Sequence, residues 1–410
     1  MTRFRILAFT FVLVGALAAP ARAESPTATP PLRVGTSGDY RPFSFRDAAG
    51  APTGFEVAVA QRLAVDLGRP LELVPFRWPE LITQLQNGAF DVAMSGVTSG
   101  PERALRLALS RPYAVTGAVA VIRDADRQRF RRLADLDRPQ VRIAVNGGGY
   151  LERVTRQHFP HAVIVAVSDN TTLPDRLERR DAGAVISEQF EARTWNGKHF
   201  TTLGPFTHDR KVYAFPRDAA ELRRRLDDWL VAHEADGWLN AQRRRWLGAA
   251  AVTTPQESTI EALVGAMQLR LQLMPLVAAV KQREQLPIHD AAQETRVLAK
   301  VHDAAATAGL DPESVAALFR VQMDAAKDVE EHPADAADVA GVSLDDVRAA
   351  VGAASDQIIA ELARGRLWLR DPSFRTHLGA AMRDGLSAPG LTPQRVQELV
   401  AATLRVSAAA

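Results

Sequence analysis

The 410-residue sequence contains no cysteine, so no disulfide can staple the fold, and export cannot be read from cysteine usage. It has no excess of charge of either sign: 50 Lys and Arg stand against 48 Asp and Glu, a formal net charge of +2. That balance leaves no electrostatic footprint for nucleic acid or an anionic membrane. The nine histidines are scattered without paired ligand spacing, which gives no metal constellation, and a glycine-rich nucleotide fingerprint is missing too. No metal and no cofactor is implied. Beyond the N-terminus no stretch is expected to approach the roughly 20 apolar residues that a membrane span needs.

What is present begins with Arg3 and Arg5, an apolar run over residues 6–19, and Pro20 followed by Ala21-Arg22-Ala23. These are the three parts of a secretory signal peptide. Residues 1–23 are therefore expected to be cleaved, leaving a periplasmic protein with no membrane attachment. Residues 24–31 read as a loose leader, and the length suits two or three domains. Over residues 32–247 short apolar strands alternate with helical patterns, which argues for a mostly parallel sheet. Ligands of such sheets collect beyond the strand C-terminal ends, where Asp39, Trp78, Thr98 and Arg103 fall. A second round of alternation starts at Val141, with Asn146-Gly147-Gly148-Gly149 turning into a helix. That turn either offers N–H groups to an anion or is a plain tight turn. Residues 249–258 are small and polar and read as an interdomain linker. Residues 259–410 show almost no strand pattern and six helical stretches, one of them opened by Asp311-Pro312 as cap and first residue. The fold class is an α/β two-lobe domain followed by an all-α helix bundle.

The chemistry of the front half centres on Ser187-Glu188-Gln189-Phe190-Glu191-Ala192-Arg193. Two carboxylates three residues apart, after an apolar strand, stand near one helix N-terminus and face the same way. Upstream, Thr98-Ser99-Gly100-Pro101-Glu102-Arg103 precedes Ser110-Arg111-Pro112-Tyr113. These stretches resemble the type 2 periplasmic amino-acid-binding proteins, which have two lobes joined by two crossovers. Lobe 1 would cover about 32–122 and 209–248, and lobe 2 about 123–208. The resemblance implies that Arg103 grips a ligand carboxylate in a bidentate fork. Within that superfamily the segments 35–44, Trp78-Pro79, Ala93-Met94-Ser95-Gly96, Asn146 to Gly149, Glu191-Ala192-Arg193 and Pro216-Arg217-Asp218 are similar to the cyclohexadienyl dehydratases, exported enzymes acting on prephenate and arogenate. By that resemblance Glu191 is the general acid and Glu188 the contact for an ammonium or polar group. The chemistry is consistent: prephenate loses its ring hydroxyl and CO2 as the ring becomes aromatic, so the protein must protonate a poor leaving group and hold carboxylates. A buried neutral carboxylic acid can do the first. Thr98, Arg103, Asn146 and Gly148 can do the second, with Trp78 as the apolar wall. The plain alternatives are an exposed helix glutamate for Glu191 and a lobe-core residue for Trp78.

In the back half Arg270 and Lys281 are about three helical turns apart, hence on one face. With Leu286-Pro287-Ile288-His289-Asp290, Gln293, Asp311 to Ser314, Gln322 to Lys327, Glu330 and Arg348, they resemble the secreted all-α chorismate mutases, in which one chain supplies a complete site. The rearrangement is pericyclic and needs only gripped carboxylates and charge stabilisation at the breaking ether oxygen. The resemblance implies that Arg270 and Arg348 hold carboxylates while Lys281 and Glu330 face that oxygen, Glu330 as a neutral donor. Asp290 and Gln293 belong to the candidate site, although Asp290-x-x-Gln293 is equally a helix-capping spacing.

The expectation is therefore a bifunctional exported enzyme: chorismate to prephenate in the back half, prephenate to phenylpyruvate and arogenate to phenylalanine in the front. The rival is a catalytically silent amino-acid-binding lobe pair tethered to a mutase. Partners are the small molecules chorismate, prephenate and arogenate; a homo-oligomer is left open.

Overall fold

A computed structural model describes residues 29–195 and 197–409; the expected signal peptide and most of the leader lie outside these residues. The front half is two α/β lobes. The first carries a five-stranded sheet in the order Leu71–Pro75, Leu32–Thr36, Val92–Ala93, Ala214–Phe215, Ala108–Leu109. Its first three strands are parallel, because helices Phe55–Asp66 and Leu81–Gln86 make the return crossings. The second sheet runs Val163–Val167, Arg142–Asn146, Ala184–Glu188, Ala118–Arg123, Phe200–Leu203. Its central strands are buried along almost their whole length, as a sheet covered on both faces requires.

Two boundaries differ from the sequence reading. The strand Ala118–Arg123 pairs antiparallel with Ala184–Glu188 and belongs to the second lobe, so the first crossover lies near Gly117 and not after residue 122. An apolar run such as Ala-Val-Ala-Val-Ile carries no mark of which sheet it will join. The expected single strand over residues 211–215 is split. Asp209–Lys211 pairs with Ala114–Thr116 in a two-stranded ribbon, and Ala214–Phe215 returns to the first sheet. The two crossing segments are thus hydrogen-bonded to each other, which makes one hinge of them.

The back half is all-α. Its long helix, Pro255–Arg283, is packed by Leu344–Gly365, Pro312–Glu330 and Pro372–Gly385. Thr254 opens it with a capping box: its hydroxyl accepts from Glu257 N while the Glu257 carboxylate takes Thr254 N. The expected linker is therefore mostly a capped helix start, whose Thr-Pro-x-Glu signature the small, polar composition concealed. This helix is also long and apolar enough to cross a membrane by length and composition, with 72% of the apolar window buried. The expectation that no such stretch follows the N-terminus needs that correction; the helix is apolar because the bundle surrounds it. Pro275 inside it leaves the helix unbroken, and its carbonyl accepts from Ala334 N at 3.0 Å.

Candidate functional site

The front candidate site lies where the two lobes meet. The strand Ala184–Glu188 ends in Glu188, which caps the short helix Gln189–Arg193 by accepting from Phe190 N at 3.0 Å. One helical step on, Glu191 accepts from Ser187 Oγ at 2.7 Å and from the Asn170 side-chain amide. Both glutamates are buried, so the reading of Glu191 as an exposed helix glutamate fails. Burial is the main cause that pushes the Glu191 carboxyl up to about 8, opposed by Ser187 and Asn170 and reinforced by the Glu188 and Asp39 charges. Burial also raises Glu188, against the pull of Lys211, Thr116 and Phe190 N. Its Oε1 takes the Thr116 hydroxyl, while Oε2 is buried without a partner among the described residues.

A small cleft of about 30 Å³ is lined by Tyr40, Trp78, Thr98, Arg103, Asn146, Tyr150, Asn170 and Lys211, among others. Of the expected residues it brings together Trp78, Thr98, Arg103 and Asn146. Glu188 and Glu191 stand behind its wall, with Glu191 reaching it through Asn170. Asp39 is not in the lining either: it has a buried, unpartnered Oδ1, and its carbonyl accepts from Asn170 across the cleft at 3.3 Å. Gly148 lines the adjoining mouth with Trp78 and Arg103. There its φ is +76°, and an added Cβ would lie 2.5 Å from Pro79 of the other lobe. The Gly148 N–H is spent on Glu152 at 2.8 Å, so this N–H is not free for an anion. Arg103 reaches Thr98 O at 2.5 Å, and burial lowers its pKa to about 10. Trp78 packs edge-on to Tyr40 and Phe76, with part of its surface in the cleft. At about 30 Å³ the cleft has room for about two waters, so the lobes as described are closed on one another at this point.

Tyr40, Asn170 and Lys211 were not singled out by the sequence. Lys211 alone gave a signal, a lysine directly before the apolar Val212-Tyr213-Ala214-Phe215. Asn170 looks like an ordinary turn residue after Asp169.

The back candidate site is a cavity of about 260 Å³ enclosed by helices of the bundle. Arg270, Lys281, Asp290, Gln293, Glu330 and Arg348 all line it, so every residue expected there converges. Lys281 Nζ donates to Glu330 Oε2 and to Ile288 O, both at 2.7 Å. Burial raises the Glu330 carboxyl, opposed by the Lys281 and Arg270 charges. Arg270 donates to Gln322 O at 3.1 Å, but its Nε and the neighbouring Gln322 Nε2 are buried donors with no acceptor. Burial lowers Arg270 to about 10. The other cations each face a carboxylate: Lys327 with Glu294 at 3.0 Å, Lys300 with Asp356 at 3.6 Å, Arg348 with Asp290 at 3.6 Å. Among the described residues Arg270 is thus the lining cation without a carboxylate at salt-bridge distance, and its unmade hydrogen bonds suit an anionic ligand. Asp290 caps the helix Ala291–Thr307 through Gln293 N at 2.9 Å. The Gln293 side chain does not complete a capping box; it accepts from Arg296 at 2.8 Å. Lys300 and Ser355 also line the cavity, as does Lys327. Lys327 lies four residues after Met323 and three before Glu330, the spacing of one helix face, which would have found it.

Comparison with known proteins separates the same two halves. Residues 32–249 match the bacterial extracellular solute-binding proteins, family 3. Residues 261–331 match chorismate mutase type II; the helix Leu344–Gly365, which carries Arg348, lies beyond that match. The chain is 36% identical over 221 residues to the cyclohexadienyl dehydratase of Pseudomonas aeruginosa, covering 53% of this chain and 82% of that protein. It is 28% identical over 222 residues to the L-cystine-binding protein TcyJ of Escherichia coli, covering 53% and 83%. A solved structure of the ancestral amino acid-binding protein AncCDT-1, described as a precursor of cyclohexadienyl dehydratase, aligns with a TM-score of 0.51 at 31% identity, over 53% of this chain and 95% of that one.

Proposed function

The chain belongs to the bacterial extracellular solute-binding proteins, family 3, and from that premise we propose that it is a bifunctional enzyme. A chorismate mutase domain converts chorismate to prephenate, and a cyclohexadienyl dehydratase domain converts prephenate to phenylpyruvate and CO2, or arogenate to phenylalanine. The pair makes two consecutive steps towards phenylalanine, in the periplasm if residues 1–23 direct export.

The observation that carries the dehydratase reading is Glu191. It is buried, its carboxyl is pushed up to about 8, and it therefore holds a proton at neutral pH where an ordinary glutamate has none. In the proposed step the substrate carboxylate is gripped by Arg103 and Thr98. Glu191 protonates the ring hydroxyl, which leaves as water while the ring carboxylate departs as CO2; the C–CO2 bonding pair completes the aromatic ring. Asn170 and Ser187 orient the acid. The resemblance to amino-acid-binding proteins alone does not call for a protonated acid, and the 36% identity to a dehydratase adds to the case.

For the mutase the support is the cavity whose buried Arg270 lacks an anionic partner, with Lys281 and Glu330 joined at 2.7 Å beside it. Arg270 and Arg348 would hold the substrate carboxylates. Lys281 and neutral Glu330 would stabilise the negative charge that develops on the ether oxygen.

The test gives chorismate to the purified protein and follows prephenate and phenylpyruvate together. Both should appear in sequence, and Glu191→Gln should stop at prephenate with the mutase rate unchanged. Phenylpyruvate formation surviving in Glu191→Gln would remove Glu191 as the acid; prephenate accumulating in the parent protein would leave only the mutase standing.

A further inference from the structure

The buried cation of the front cleft has no place in the mechanism above. Lys211 sits on the hinge strand Asp209–Lys211, where backbone pairing with Thr98 and Ala114 fixes it between the lobes. Only 2% exposed, its ammonium donates to Gly96 O at 3.1 Å and to Thr98 Oγ1 at 3.0 Å, and it lines the cleft. The groups that set its charge come from every side: Glu188, Asp209 and Glu56 hold the proton on, while burial and Arg103 oppose it. Among the described residues no carboxylate oxygen lies within 4.0 Å of its Nζ. One oxygen each of Glu188 and Asp209 is engaged, with Thr116 and Tyr150, the second being buried without a partner among the described residues, and Glu56 is held by Tyr113 and Gly96 N. An ammonium has three N–H donors; Lys211 spends two on the wall, and the third has no hydrogen-bond acceptor among the described residues, with the Tyr40 and Phe43 rings at 5.5 and 5.4 Å.

We propose that Lys211 is a built-in ammonium that makes this cleft selective for 2-oxo acids over 2-amino acids. The inference rests on the reading of Thr98 and Arg103 as the carboxylate grip. The group next to that carboxylate in the substrate then meets Lys211. A 2-oxo group is an acceptor and takes the third N–H. A 2-ammonium group is a donor and would have to share Gly96 O and Thr98 Oγ1 with the Lys211 ammonium. It also brings a like charge against the buried Lys211 and against Arg103, away from bulk water, where charges act more strongly. Glu188 becomes the counter-charge of Lys211 rather than the contact for a ligand ammonium. Prephenate is the 2-oxo acid and arogenate the 2-amino acid, so the cleft should prefer prephenate.

The experiment has a kinetic and a binding arm. The parent protein should show kcat/KM for prephenate above that for arogenate by on the order of tenfold or more, as a site built around one hydrogen-bond polarity does. In Lys211→Met that ratio should collapse or invert. By calorimetry the parent should bind phenylpyruvate in preference to phenylalanine, and Lys211→Met should lose that preference. A parent that binds or turns over the amino acid as well as the oxo acid overturns the proposal. So does a Lys211→Met protein in which both substrates lose activity equally with the ratio unmoved. If neither substrate is turned over, the dehydratase reading falls, while the phenylpyruvate and phenylalanine pair still decides the role of Lys211. Should Lys211→Met fail to fold, Lys211→Gln keeps donors for Gly96 O and Thr98 Oγ1 without the charge and is read by the same ratio.

Discussion

At the scale of the residue, the chain places one buried glutamic acid at each candidate site and raises both by taking them out of water. The consequence is a pH window displaced upward from that of an ordinary surface carboxylate. Glu191 acts while protonated, so dehydratase kcat should be level below neutrality and fall as pH rises through about 8, where the acid ionises. A profile that already falls above about pH 5 would mean an ordinary carboxylate and the wrong residue. Glu330 is likewise useful only when neutral. Its pKa is raised, but Lys281 at 2.7 Å pulls it back, so the mutase rate should climb as pH drops from neutral into the mildly acidic range. Glu330→Gln, a permanent neutral donor, should flatten that slope, and a slope unchanged in the variant would clear Glu330 of the role. Much of this was legible in the sequence. The pairs Glu188 with Glu191 and Arg270 with Lys281 each lie along a single short segment, so spacing alone orients them. Asn170 was not legible and Lys211 only by its place before an apolar run, because their importance comes from what the fold sets opposite them: Glu191 just past a neighbouring strand end, Gly96 and Thr98 from a distant part of the same lobe. Gly148 was expected to offer its N–H to a ligand, yet that N–H is turned back to Glu152.

Elements follow the same rule. Strand–helix alternation in front and helical periodicity behind were visible because they depend on neighbours along the chain. The strand Ala118–Arg123 and the split at residues 211–215 depended on distant pairing, and the expected boundaries missed them. Thr254 and Glu257 do carry a local signal, and the short polar run around them hid it. The hinge ribbon and the glycine turn together explain how the lobes close. The glycine turn meets Pro79 so tightly that a Cβ at Gly148 would sit 2.5 Å from its ring, on a backbone with φ +76°. Such a φ is open to glycine at no steric cost. Gly148→Ala should therefore hold the lobes slightly apart and lower dehydratase kcat/KM by roughly tenfold to a hundredfold, the scale on which small misplacements act. The mutase, whose cavity contains no residue of this turn, should keep its rate. Equal loss in both activities would point to misfolding, and an unchanged dehydratase would show that full closure is not required.

Considered whole, the molecule is joined by more than its short connecting segment. Arg111, 1% exposed, donates to Glu234 of the front domain at 3.0 Å and stands 3.4 Å from Glu361 of the bundle, itself 0% exposed. Glu234 is shared with Arg243 at 2.6 Å and with the Ser258 hydroxyl at 2.5 Å, just inside the long helix. A second contact joins Arg210 of the hinge strand to Glu261 at 3.1 Å, over Gly265, where a Cβ would meet the arginine stem at 2.5 Å. The sequence could not announce this interface, since Arg111 and Glu361 are 250 residues apart and neither belongs to a pattern that marks an ion pair. Buried pairs of this kind add little net stability compared with apolar packing, but breaking one strands a charge and costs about 3–5 kcal/mol. In Glu361→Ala Arg111 keeps Glu234 as a partner, so the cost is less than for a wholly stranded charge, and it falls on the docking of one domain against the other. The parent protein should unfold in a single calorimetric transition, and the variant should melt earlier and resolve into two, one per domain. A variant that keeps one transition at an unchanged Tm would show that the Arg111–Glu361 pair does not hold the two domains together.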